Sequence, residues 1–191
     1  MCCHNHTTCA KIRKEGGRGG VAIALLRKQD DEEWTVLLGK ERKGQYKGQY
    51  NLCAGKRDRR DGKCFLQTAA RELCEEFKLA IFLENGTFET IFKGNDGKIR
   101  YFMHQNTPIF VGSCGKLPLN ELNPIIQQYN SIEDFPNSLK EIERVDWFRL
   151  SDRLPIENNP AMKVSSFANS VIKRINMSLI NWHMQQIERS N

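Results

Sequence analysis

Residues 55–79 read GKRDRRDGKCFLQTAARELCEEFKL, and two periodicities within them govern how the rest of the chain must be arranged. Leu66, Ala70, Leu73 and Phe77 are spaced four, three and four. At about 100° per residue they fall on one stripe of an α-helix, which predicts a helix over 66–77 with that stripe against the core. Glu72, Glu75 and Glu76 stand at i, i+3 and i+4 on the same helix. They share a face roughly 130° from the apolar stripe. Three clustered carboxylates repel one another, but their oxygens suit a hard divalent cation, Mg²⁺ or Mn²⁺, which retains several waters. Taken alone, the trio reads first as an exposed acidic helix face. The preceding residues 55–63 are rich in Gly and charge and read as a loop, entered from a short strand over 51–54.

Outward from this helix the chain alternates between strand and helix signals. Residues 21–27 are an apolar run of strand length, and 33–40 form a second strand after the acidic turn 29–32, expected to pair with the first. Residues 43–50 repeat Lys-Gly-Gln-Tyr twice, too briefly for a repeat architecture, and read as a flexible loop. Residues 87–93 and 98–105 flank Gly-Asn-Asp-Gly, a hairpin-closing sequence, and 108–111 continue the sheet. The stretch 115–140 contains three prolines and is expected to be an irregular insertion with one short helix. A last strand follows over 145–150. Apolar residues at 164, 168, 171, 175, 179 and 182 then give a long amphipathic helix over 164–187. Mixed strands with helices imply an α/β sandwich. Residues 1–18 are polar, Gly-rich and cysteine-bearing and read as a flexible N-terminal segment, leaving 19–191 as the domain.

Composition agrees with one folded unit. The 191 residues are 39% hydrophobic and 27% charged, the range of ordinary globular proteins. No apolar run reaches membrane-spanning length, and the first twenty residues lack the apolar stretch of a secretory signal. Seven cysteines, an odd number without a disulfide-scaffold layout, read as reduced thiols, so an intracellular, cytoplasmic setting is expected. Cys2, Cys3, His4, His6 and Cys9 are soft metal ligands at short spacing, with a frayed terminus as the alternative. The net charge is +6, and residues 40–63 carry nine basic side chains against three acidic ones. That concentration favours a phosphate-rich partner, or else a solvated lysine-rich surface.

The segment from Gly55 to Leu79 resembles the Nudix box, in which Gly, five residues, Glu and seven residues precede Arg-Glu-apolar-x-Glu-Glu-x-Gly-apolar. Arg71-Glu72-Leu73, Glu75-Glu76 and Leu79 fall in register. Three positions depart from the pattern: Lys63 stands where the family's early Glu falls, the loop from Gly55 is two residues longer, and Lys78 replaces Gly. Asp58 or Asp61 is the substitute for the early Glu, and Lys78 implies a different helix exit, since Gly there takes the left-handed conformation.

The resemblance implies an α/β/α Nudix sandwich with a mixed central sheet. It implies a hydrolase acting on a phosphoanhydride bond of a nucleoside diphosphate-linked substrate. Glu72, Glu75 and Glu76, with the backbone carbonyl of Ala54 or Gly55, would hold Mg²⁺ or Mn²⁺. Arg71 would pair with a neighbouring carboxylate and fix its rotamer. Glu141, six residues before Trp147, corresponds to the distant carboxylate many members use as ligand or base, with Glu143 as its rival. Lys56, Arg57, Arg59 and Arg60 would hold non-reacting phosphates, and Tyr50 or Tyr46 would stack on a base. Residues 139–155, LKEIERVDWFRLSDRLP, resemble the segment ending the catalytic domain of mRNA-decapping Nudix enzymes, which implies capped RNA as one candidate substrate. Dinucleoside polyphosphates, nucleoside diphosphate sugars, modified nucleoside triphosphates and inositol pyrophosphates remain beside it. The alternative, favoured by Lys63, is a catalytically weak module that binds RNA or nucleotide without cutting it.

Overall fold

The computed structural model of the protein describes residues 7–29, 33–62, 64–79, 91–94, 96–113, 117–134, 136, 141–151 and 162–190, without side-chain detail for 179–190. A helix, α1 (Thr7–Lys14), precedes strands β1 (Gly20–Lys28), β2 (Trp34–Glu41), β3 (Tyr50–Asn51) and β4 (Cys53–Lys56). A short 3₁₀ turn (Arg59–Asp61) leads to α2 (Phe65–Glu75). There follow β5 (Tyr101–His104), β6 (Thr107–Ser113), α3 (Leu119–Ser131), β7 (Ile142–Arg149) and α4 (Ser166–Ser190).

The strands make one mixed sheet in the order β3-β2-β1-β6-β5, with β4 added to β1 and β7 to β2. β1 runs parallel to β6 and antiparallel to β2 and β4. Both faces of β1 are buried, and its side chains divide strictly by the two-residue period of a strand. Val21, Ile23 and Leu25 enter the core cluster that holds Phe65, Leu66, Leu73 and Phe77 of the α2 segment. Ala22, Ala24 and Leu26 enter the second cluster with Ala168, Val171, Ile172 and Ile175 of α4. Helices on both faces of a mixed sheet give the expected α/β/α sandwich. No helix among the described residues is long and apolar enough to cross a membrane.

Two stretches differ from the sequence reading. The irregular N-terminal segment contains α1, which docks through fully buried Cys9 and Ile12. Those two residues are one turn apart and too few to produce a readable stripe. Cys9 Sγ lies 3.7 Å from Cys64 Sγ, in the core rather than at an exposed metal site. Cys2, Cys3, His4 and His6 lie outside the described residues. The stretch 115–140 holds a thirteen-residue helix, α3, with Pro124 inside it. Leu122 and Ile126 bury its inner side. Asn123 accepts from Val145 N at 2.8 Å and donates to Val145 O at 3.0 Å, while Asn130 donates to Ile142 O at 2.9 Å. These side-chain amides satisfy backbone groups of β7, which is why a proline-containing polar stretch remains helical.

Most of the expected strand 87–93 falls outside the described residues. Its described end differs from the expectation, with Ile91 helical and Phe92 in a turn, and only Lys93 makes an antiparallel bridge, to Ile99, with Gly97 at φ +71 in the turn.

Candidate active site

β4 ends against α2, and this contact assembles the acidic group. Glu76, the residue capping the end of α2, is only 6% exposed and accepts a hydrogen bond from Ala54 N at 3.1 Å. Glu72, one turn earlier, is also 6% exposed and lies directly over Gly55. A Cβ on Gly55 would sit 2.0 Å from the Glu72 carboxyl carbon, so only glycine leaves room for the carboxylate. Glu75 points more outward and is half-buried.

Arg71 organises the group. Its Nε donates to Asp61 Oδ1 at 3.0 Å and its Nη2 to Asp61 Oδ2 at 3.0 Å. Nη1 meets Glu75 Oε2 at 2.7 Å, Nη2 meets Glu72 Oε1 at 2.6 Å, and Nη2 also donates to the Lys56 carbonyl at 2.8 Å. Arg71 thus pairs with Asp61, a choice the sequence left open, as well as with two carboxylates of its own helix. Asp58 instead caps the 3₁₀ turn, accepting from Arg60 N at 2.8 Å, while Asp58 N donates to Asp61 Oδ2 at 2.8 Å. The longer loop therefore ends in a capped turn that presents Asp61 to Arg71. Lys63 lies outside the described residues.

Burial and crowding distort the ionisation of these groups. Burial lifts Glu72 to about 7, partly countered by Arg71. Burial, reinforced by Glu72 and Glu41, pushes Glu76 well above the carboxylate range. Burial would also raise Asp61, but hydrogen bonds from Arg71 and the Asp58 backbone hold it below its usual value. Glu41, just past the expected end of the second strand, was not singled out in the sequence. It is raised by burial, with Asn51 Nδ2 donating to it at 3.2 Å and Glu141 adding repulsion. Glu41 lies opposite Ile142 of β7, and its carboxylate acts on Glu76 from β2.

Glu72, Glu75 and Glu76 line one cavity of about 670 Å³ together with Glu141, Gly55, Lys56, Asp58, Arg60, Arg71 and Pro136. Glu141 reaches it from the start of β7 and pairs with Lys43 at 3.1 Å. Glu143 pairs with Lys40 at 3.0 Å and does not line the cavity. Of the four loop cations, Lys56 and Arg60 line the cavity and Arg57 and Arg59 do not. Arg60 meets Asp58 at 3.2 Å and Glu75 at 3.8 Å, whereas the Arg57 guanidinium lies 5.7 Å from the Phe65 ring.

Tyr50 is not a base-stacking residue. It is 2% exposed, its hydroxyl donates to Asp146 Oδ2 at 2.6 Å, and its ring packs 4.8 Å from that of Phe148. Tyr46 remains half-buried in the loop. The helix exit also differs from the expectation. Lys78 itself adopts the left-handed conformation at φ +55, which costs a residue with a Cβ about 1–2 kcal/mol. Its Nζ donates to the Glu75 carbonyl and lies 5.4 Å from the Tyr129 ring, offsetting the strain.

The donor set fits a hard divalent ion in kind: carboxylate oxygens whose burial disfavours their charge in the absence of a cation, with Glu72 packed over a glycine that leaves it space. Among the described residues no three acidic, His or Cys groups converge as a finished coordination shell. Arg71 holds Glu72 and Glu75 on its own nitrogens.

No family model matches the sequence, and no curated protein matches it. The fold is similar to those of solved structures. A bifunctional NMN adenylyltransferase/ADP ribose pyrophosphatase from Francisella tularensis aligns over 89% of this chain and 45% of its own length, with TM-score 0.52 and 12% identity. The NUDIX domain of Shewanella oneidensis NrtR, complexed with ADP ribose, aligns over 84% of this chain and 86% of its own, with TM-score 0.49 and 15% identity. A MutT/nudix family protein from Enterococcus faecalis aligns over 84% and 61%, with TM-score 0.47 and 14% identity. The chain thus spans less than two thirds of the Francisella and Enterococcus proteins.

Proposed function

Taking as its premise that the chain has the Nudix fold, we propose that it is a Mg²⁺- or Mn²⁺-dependent pyrophosphohydrolase. It cleaves a phosphoanhydride bond in a nucleoside diphosphate-linked substrate. The observation that carries this reading is the sharing of one cavity by Glu72, Glu75, Glu76 and Glu141 with the cations Lys56 and Arg60. A cavity of about 670 Å³ is of the size that encloses a small ligand.

Glu72, Glu75 and Glu76 hold the metal, with the Ala54 or Gly55 carbonyl as a further ligand. When bound, the metal supplies charge neutralisation at the phosphates and acidifies a water for attack on phosphorus. Lys56 and Arg60 hold the non-reacting phosphates. Arg71, anchored on Asp61, orients Glu72 and Glu75. Glu141, which lines the same cavity, takes the proton of the attacking water. The Francisella protein is an ADP ribose pyrophosphatase, so ADP ribose belongs in the substrate panel beside capped RNA and dinucleoside polyphosphates.

A catalytically weak binding module is the second reading, favoured by the grip of Arg71 on Glu72 and Glu75. The deciding experiment is turnover over the panel with and without Mg²⁺, products identified by mass, in wild type and Glu76→Gln. Hydrolysis that needs Mg²⁺ and disappears in Glu76→Gln supports the enzyme. Tight binding of a panel member with no product from any of them supports the module.

A further inference from the structure

Cys9 and Cys64 take no part in the chemistry proposed above. Cys9 lies in the first turn of α1 and Cys64 immediately precedes α2. Their sulfurs are 3.7 Å apart, although 55 positions separate the two residues in the chain, and both side chains are almost fully buried. In a tetrahedral Zn²⁺ site, Zn–S bonds of about 2.3 Å set two thiolate sulfurs about 3.8 Å apart. The pair therefore has the spacing of one edge of a zinc tetrahedron, a spacing that two thiols in simple contact share.

Three further features distinguish a ligand pair from simple contact. Cys64 gives α2 no side-chain cap, and the first amides of that helix, those of Leu66 and Phe65, hydrogen-bond to the Cys9 sulfur instead. N–H groups at a helix start favour the thiolate, the form that binds metal. α1 has eight residues and buries only Cys9 and Ile12, less than an isolated helix needs to stay formed, so a bond that fastens it has a clear role. The sequence entering α1 carries Cys2, Cys3, His4 and His6, all within seven positions of Cys9, and His6-x-x-Cys9 has a spacer common between zinc ligands. We propose that Cys9 and Cys64 are two thiolate ligands of a structural Zn²⁺ that fastens α1 to the start of α2, the other two donors coming from Cys2, Cys3, His4 and His6. Each bound thiol gives up its proton to solvent as the metal enters. Cys64 is the ligand that only folding supplies, and it turns a ligand-rich terminus into a closed four-coordinate site. Neither cysteine lines the acidic cavity, so this site stands or falls apart from the hydrolase reading.

The test measures zinc in the tag-free full chain, expressed with added Zn²⁺ and purified with a phosphine reductant. Wild type should carry about one Zn²⁺ per chain by plasma mass spectrometry. Cys64→Ser should lose it, whereas Cys74→Ser, altered on the same helix outside the pair, should keep it. Serine caps a helix better than cysteine, so Cys64→Ser keeps α2, which circular dichroism checks. X-ray absorption at the zinc edge of wild type, which depends on no variant's folding, should show at least two sulfurs at about 2.3 Å. Wild type that stays zinc-free after Zn²⁺ is added overturns the proposal. So does a shell of oxygen and nitrogen alone, which places the ion at the carboxylates, and so does full zinc retention by Cys64→Ser, which leaves a site made without the fold. A wild-type mass two hydrogens lower, with Cys9 joined to Cys64, also overturns it in favour of a disulfide.

Discussion

Replacing Asp61 by Asn tests the element that holds the site together. Asp61 is 4% exposed and accepts from Arg71 Nε and Nη2, each at 3.0 Å, and from Asp58 N at 2.8 Å. Removing one partner of a buried ion pair costs about 3–5 kcal/mol, because the remaining charge stays desolvated. Arg71 keeps Glu72 and Glu75 and is 17% exposed, so the lower end applies, about 3 kcal/mol at pH 7. Asp61 is held below its usual pKa. Its contribution is therefore present above the unfolded value of about 4 and is lost as pH falls through the folded value. Urea denaturation of wild type and Asp61→Asn should show the full gap at pH 7 and a narrowed one near pH 3. The freed Arg71 turns fully onto Glu72 and Glu75, so Mg²⁺-dependent turnover should also fall about 10–100-fold. A gap below about 0.5 kcal/mol at pH 7, or an equal gap at both pH values, would refute the assignment of Asp61 as the anchor of Arg71.

Gly55→Ala should displace the Glu72 carboxyl group, which the new Cβ would approach to 2.0 Å. It should cost about 1–3 kcal/mol and nearly all metal-dependent turnover, whereas Gly44→Ala, in open space at φ +77, costs stability alone; equal turnover in the two variants contradicts the cradle. Tyr50→Phe removes the 2.6 Å bond to Asp146 and should lower stability by about 1.5–3 kcal/mol in chemical denaturation. KM should not change, and a raised KM would restore Tyr50 as a substrate contact. Burial lifts Glu72 from 4.5 to about 7, so without metal the folded state binds the extra proton between those values. The metal-free protein should lose stability as pH rises through that window, and Mg²⁺, which needs the carboxylate, should restore it above pH 7. Thermal melts with chelator and with Mg²⁺ on either side of pH 7 read this directly, and a Mg²⁺ effect independent of pH would rule it out.

The parts legible in the sequence were those with strong periodicity. The stripe of Leu66, Leu73 and Phe77 placed α2, the apolar run from Val21 placed β1, and the amphipathic pattern placed α4. The acidic side of α2 followed from the same helix geometry. What remained hidden depends on contacts between distant segments. α1 is held by two buried residues, and α3 is kept helical past Pro124 by asparagines that bond to β7. The choice between stacking and packing for Tyr50 was not legible because Asp146, ninety-six positions away, is its partner. Glu41 comes near Glu76 through its place opposite Ile142 of β7 and its bond from Asn51. Lys78 kept the glycine conformation because its long side chain reaches the Glu75 carbonyl, an option a propensity argument does not weigh.

The central claim is that Glu72, Glu75 and Glu76 bind a divalent cation in the cavity they line. Electron paramagnetic resonance of Mn²⁺ titrated into wild type and into Glu76→Gln at about pH 8, where Glu72 is ionised, tests it most directly. Wild type should remove free Mn²⁺ from the spectrum, and the variant should leave most of it free while melting at an equal or higher temperature, since it no longer buries an ionisable group. Identical Mn²⁺ binding by the two proteins would contradict the claim.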